Sequence, residues 1–277
     1  MTVLRSLWDA LIIEPSRLRL TDCQKADPVI QRGELQTTPV EIHFHGQGLP
    51  SSACEPQFAK EVHILLHCRH PNVQLMIGFS PYPDGHRLVM ERVWGSVSAA
   101  LSSEPLDTGS ATEIAAQVAS AVEFVHQRHI FHGSIGIDSA MLLSHPGMRP
   151  VTAKLGNFAF AKWSTHDQKV LAADVRALIV FIYNLFTTKP IERVEHAPTG
   201  LEVSGFDSRY LADFAISAPS AQVLAEMMPG LPEVVELVTI GWNSSQMTAQ
   251  DVARILRSNN FSDKQNLEPQ LSAVHHL

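Results

Sequence analysis

Two short segments near the middle of this 277-residue chain constrain it most. The first is Ile130-Phe131-His132-Gly133-Ser134-Ile135-Gly136-Ile137-Asp138-Ser139-Ala140-Met141-Leu142-Leu143. The second, Lys154-Leu155-Gly156-Asn157-Phe158-Ala159, follows shortly after. Each is an apolar frame enclosing a few small or polar positions. Those enclosed positions include Ser134, Gly136, Ser139 and Asn157, none of them charged.

The totals fit a folded body of one large or bilobal domain, with 45% hydrophobic residues. Net charge is -7 with no run of like charges. That argues against nucleic acid or an anionic membrane as partner, and Arg17, Arg19 and Lys25 are too sparse for a basic patch. Cys23, Cys54 and Cys68 leave one cysteine over and form no Cys-x-x-Cys pair, so a reducing compartment is expected. Asp9 interrupts the first apolar stretch, and no small-residue cleavage site follows, so no secretory signal is expected. The longest apolar run, Ala177 to Tyr183, is too short to span a bilayer. The expected location is the cytoplasm or the nucleus.

Leu4, Leu7, Trp8, Leu11 and Ile12 fall on one face of a short helix that ends before Pro15. This helix either packs on the chain's own body or docks a partner. Ser16 to Asp22, Val40 to Phe44 and Arg87 to Glu91 alternate as strands do. Phe58, Val62, Leu65 and Leu66 share a helix face that His70-Pro71-Asn72 breaks. Ser110 with Glu113 has the spacing of a capping box, and Ile114, Val118, Ala121, Val122 and Val125 continue that helix to about His126. Ala172 to Phe186 is apolar nearly all round, as in a buried helix, and Thr248 to Leu256 is a third. The expected divisions are an N-terminal helix over residues 1–15, a strand-rich lobe over 16–93, a helical lobe over 94–260 and a disordered tail over 261–277.

This order resembles the protein kinase architecture: an α+β, bilobal fold with a small antiparallel sheet, one regulatory helix and a larger helical lobe. Phe58 to Val62, then Leu65-Leu66 and Arg69-His70-Pro71-Asn72-Val73, resemble the regulatory helix and its following turn. Leu88-Val89-Met90-Glu91 resembles the hinge-entry strand, with Met90 as gatekeeper. Ile130-Phe131-His132 leads into the catalytic loop, and Asp174 to Leu178 begins the long buried helix. Leu237 to Trp242 and the helix after it are similar to the closing helices of the tyrosine-kinase-like group. The resemblance spans roughly residues 25–257.

The departures fall on the chemistry. Phosphoryl transfer needs metal ions, an oriented nucleophile and cations on the phosphates. The resemblance puts the catalytic aspartate at Ser134, its basic neighbour at Gly136, the metal-ligating amide at Ser139 and the metal-ligating aspartate at Asn157. His132 is kept. The strand lysine falls on His43, opposite a retained Glu61, and a protonated His43 would pair with that carboxylate. The remaining positions of the degenerate nucleotide site are Gly33, Glu41, Met90 and Met141. Glu41 replaces a small residue beneath the adenine and requires water or a partner. Gly33 is all that remains of the phosphate loop, and Val40 follows too closely for a full hairpin.

Gly133 replaces the arginine that grips a phosphorylated activation loop. Only 16 residues separate Asn157 from Asp174, without Ala-Pro-Glu, and Gln246 or its neighbours stand where the resemblance puts the arginine that would pair with that glutamate. His132, Phe158, Leu65 and Met76, anchored by Asp174, fall where the family stacks its regulatory spine, or are ordinary core residues. His43 with His45, and His63, His67 and His70, have spacings that can ligate zinc, but no glutamate or cysteine supports a metal site and none is expected.

The expectation is a pseudokinase: no catalytic residues, weak or absent binding of ATP and magnesium, and a protein partner such as an active kinase. The alternative is a divergent, working protein kinase that uses Asp138 and Glu61 in unusual roles.

Overall fold

The computed structural model describes residues 8–21, 30–45, 51–163, 168–187, 219–228, 230–244 and 246–257. The expected tail and the positions of Leu4, Leu7 and Lys25 lie outside these.

Five strands form one antiparallel sheet in the order β1-β2-β3-β5-β4. They are β1 (Leu18–Leu20), β2 (Ile30–Leu35), β3 (Thr38–His45), β4 (Met76–Tyr82) and β5 (Gly85–Glu91). Side chains alternate across β3. Val40 and Ile42 are fully buried on one face, in a small cluster with Ile13 and Val89. Glu41, His43 and His45 occupy the other face.

The hairpin between β2 and β3 is complete, contrary to the expectation that Val40 comes too soon. Leu35 pairs with Thr38 around a two-residue turn, and Gln36 adopts the left-handed conformation (φ 58°) that such a turn needs. Gly33 lies inside β2, paired with Val40. A Cβ there would come within 2.7 Å of the Arg19 carbonyl oxygen, so the glycine serves strand packing.

Residues 8–11 form a helical turn that packs on the chain's own sheet. Trp8 meets Phe79 edge-on at 5.3 Å, and the Ile13 amide donates to the Phe79 carbonyl at 2.8 Å. Gly78 permits this crossing, since a Cβ would lie 2.5 Å from the Leu11 carbonyl oxygen.

The regulatory helix α1 (Ser51–His67) buries Phe58, Val62, Ile64 and Leu65. The chain then enters the second lobe through Gly95–Ser96 (β6) and the short helix Val97–Ser103 (α2). Helix α3 (Thr108–His126) starts two residues before the capping box expected at Ser110. Its cap is Asp107, whose carboxylate accepts from the Ser110 amide at 3.0 Å and hydroxyl at 2.6 Å. Asp107 takes the place of the predicted cap because its carboxylate satisfies two first-turn donors of Ser110 at once.

Strands β7 (Ile130–Phe131), β8 (Ala140–Leu142), β9 (Ala153–Leu155) and β10 (Lys162–Trp163) carry the two signature segments. Helix α4 (Gln168–Thr187) runs through the lobe with Leu178, Ile179, Phe181 and Ile182 fully buried. The remaining helices are α5 (Ala221–Met227), α6 (Pro232–Asn243) and α7 (Ala249–Arg257). Thr248 and Asp251 cap α7 reciprocally, and Arg257 pairs with Glu123 of α3 at 2.7 Å.

Candidate functional site

The loop between β7 and β8 is organised by one buried carboxylate. Asp174, on α4, is fully buried and accepts from the main-chain amides of His132 (2.7 Å) and Gly133 (3.0 Å). The His126 ring nitrogen lies 3.0 Å away. His132 is itself fully buried, and burial holds its pKa below the ordinary histidine value. Its Nδ1 accepts from the Ser134 amide at 3.2 Å, which leaves Nε2 as the protonated nitrogen, 2.9 Å from the Gly156 carbonyl. A neutral imidazole thus joins the two signature segments. Its ring meets Phe158 edge-on at 4.7 Å, and Phe158 continues into one core with Leu65 and Met76.

Asn157 and Ser134, from the two signature segments, come together. Asn157 is in the left-handed conformation (φ 60°, ψ 64°), which Asn tolerates better than most residues, and its Nδ2 lies 3.5 Å from Ser134 Oγ. Ser139 is buried, and its hydroxyl is spent on the loop itself: it accepts from the Gly136 amide at 2.9 Å and donates to the Gly136 carbonyl at 3.1 Å. Asp138, one residue earlier, is exposed. Around Gly136 there is open space for a side chain, but none is present. At Gly133 the backbone is left-handed (φ 77°), and a Cβ would lie 2.9 Å from Phe131.

The strand-lysine position departs from expectation in its pairing. His43 turns along its own strand, with Nε2 3.3 Å from Glu41 Oε2. His45, two residues on, faces Glu61 instead, with Nε2 3.6 Å from Oε2. That separation exceeds a hydrogen bond, and Glu61 Oε2 is buried without a hydrogen-bond partner. Burial pushes the Glu61 carboxyl up to about 7, partly offset by His43. Burial, aided by His43 and His86, lowers His45 to about 4. Near neutral pH the two meet as a half-protonated acid and a neutral ring, so they form no ion pair.

Glu41 finds a partner that the sequence did not single out. Gln74 is 1% exposed, and its Nε2 donates to Glu41 Oε2 at 2.8 Å and to the Glu91 carbonyl at 3.3 Å. Met90 and Met141 are buried, and Met141 packs near Gly156. Glu91 accepts from the Leu75 amide (2.6 Å) and pairs with Lys154 (2.7 Å). The one hint of Gln74 in the sequence is a polar residue inside the apolar run Val73-Gln74-Leu75-Met76-Ile77.

After Phe158–Phe160, β10 pairs antiparallel with β7, Lys162 opposite Phe131. Trp163 is 40% exposed and lies edge-on to His67 at 5.3 Å. Among the described residues no group of three or more His, Cys, Asp or Glu is set to hold a metal. Nor, among them, is any helix long and apolar enough to cross a membrane.

The sheet order, the single regulatory helix, the carboxylate-anchored loop and the turn at Asn157 agree with one outside comparison: the family model of the protein kinase domain matches residues 50–189, half of the chain. The chain belongs to the protein kinase domain family.

Proposed function

We propose that this kinase-family domain does not transfer phosphate and acts through protein–protein binding, as a scaffold or an allosteric partner of another signalling protein. The observation that carries the reading is the state of the Ser134–Asn157 pair: a hydroxyl and an amide in contact where proton acceptance and metal binding require anions. A serine hydroxyl cannot hold a proton as a carboxylate does, and loss of a general base costs about 10²–10⁴ in rate. Magnesium favours anionic oxygens. The residues present do not fit it: Ser139 spends its oxygen inside the loop, and Asp138, one residue earlier, is exposed. The loss of the strand lysine and of every glycine in residues 21–29 removes the groups that hold phosphates.

Packing speaks for a retained interaction role. The Asp174 anchor, the His132–Phe158 contact and the seating of Leu65 and Met76 in the same core support an active-like arrangement that persists without chemistry. Candidate surfaces are α1 around Glu61 and the ground beside the short activation segment. Next to the latter, a cavity of about 360 Å³ lies between His126, Leu171, Val175 and Met247. We place the protein in the cytoplasm or nucleus, without nucleic-acid or membrane partners.

The divergent-kinase alternative requires Asp138 and Glu61 to take over metal and phosphate chemistry. A thermal-melting titration with ATP, with and without magnesium, separates the two. The proposal expects no magnesium-dependent rise in melting temperature; a saturable rise that requires magnesium favours the alternative.

A further inference from the structure

The buried Gln74 amide touches three parts of the interlobe cleft at once. Its Nε2 donates to the Glu41 carboxylate on β3, which roofs the cleft, and to the Glu91 main-chain carbonyl, where the sheet hands over to the second lobe. Its Oε1 lies against Gly156, so closely that a Cβ there would be 2.7 Å from it, with Met141 beside it as the floor. Oε1 is buried and has no hydrogen-bond partner. A flat heteroaromatic base needs apolar faces above and below and free main-chain groups at its edge. Here the roof is a carboxylate, the edge acceptor is taken by an –NH₂ group, and the space between is filled by a carboxamide.

We infer that the cleft is closed from within: Gln74, held by Glu41, stands in for the base of a nucleotide and keeps adenine ligands out. This deepens the proposed lack of phosphoryl transfer and rests on the same cleft, but it assigns exclusion to two residues outside the catalytic loop. Removing both should open the site. Gln74→Ala vacates the space that the carboxamide fills; Glu41→Ala gives a small apolar roof. Replacing both partners of a buried polar contact with apolar groups is usually tolerated, more so when an unsatisfied acceptor is deleted with them.

The test is direct calorimetric titration of the full chain with adenosine, and separately with ADP, both in EDTA. The inference expects no saturable binding by the wild type and binding at least tenfold tighter by the double variant. ADP should bind no tighter than adenosine, because the phosphate-holding cations are missing. Wild-type affinity equal to that of the double variant would overturn it. So would a double variant that melts cooperatively within a few degrees of wild type and still binds nothing. Should the double variant not fold, the single Gln74→Ala carries the same readout, with gain of adenosine binding expected and none contradicting it. Phosphoryl transfer by the wild type would sink the functional proposal by a separate assay, so the two failures are distinguishable.

Discussion

Asp174 Oδ2 lies 2.7 Å from the main-chain nitrogen of His132, and both residues are fully buried. This contact, with the Gly133 amide 3.0 Å from Oδ1, fixes the loop between β7 and β8. A buried carboxylate is costly unless its hydrogen bonds are made, and here main-chain donors make them. The loop's shape therefore depends on α4 rather than on any bound metal.

Asp174→Ala should destabilise the protein by about 3–5 kcal/mol, because it leaves buried main-chain donors without an acceptor. Urea denaturation of the two proteins measures the difference. Asp174→Asn, which keeps an acceptor oxygen, should cost less.

Glu61 gives the fold a pH dependence of known sign. Burial raises its folded pKa to about 7, above the ordinary glutamate value of 4.5. Between these values the unfolded chain gives up the proton while the folded one keeps it. The stability this group contributes is therefore full below pH 4.5 and is lost as pH rises through 7. His45 acts oppositely: lowered from 6.5 to about 4, its contribution is full above 6.5 and is lost as pH falls through 4. Glu61→Gln should flatten the loss above pH 4.5, so that the variant gains on the wild type by up to about 3 kcal/mol between pH 4.5 and 7. Denaturation midpoints across that range check it.

Gly133→Arg would restore the family's residue and should still harm this protein. The backbone at that position is left-handed, and a Cβ would press on Phe131 and on the Phe160 carbonyl. A loss of about 1–3 kcal/mol is expected. Equal or higher melting temperature in the variant would show that the loop relaxes freely.

The sequence made the frame legible because apolar periodicity and order survive substitution. The helices ending near His126 and around Phe181, the strand at Met90 and the turn at Asn157 all lie where spacing put them. What it hid were choices between neighbours. His43 and His45 share a strand face, and only the folded structure shows that His45 faces Glu61 while His43 turns to Glu41. Gly33 read as a loop glycine, and it lies inside β2 opposite Val40. Gln74 read as one polar residue in an apolar run; its meaning depends on Glu41 and Glu91, distant in sequence and adjacent in the cleft.

The most direct measurement is incorporation of γ-labelled phosphate by the purified full chain, with ATP and magnesium or manganese, into itself and into a generic protein substrate. The account predicts incorporation no greater in the wild type than in Asn157→Ala. Sustained labelling by the wild type that disappears in Asn157→Ala would contradict it.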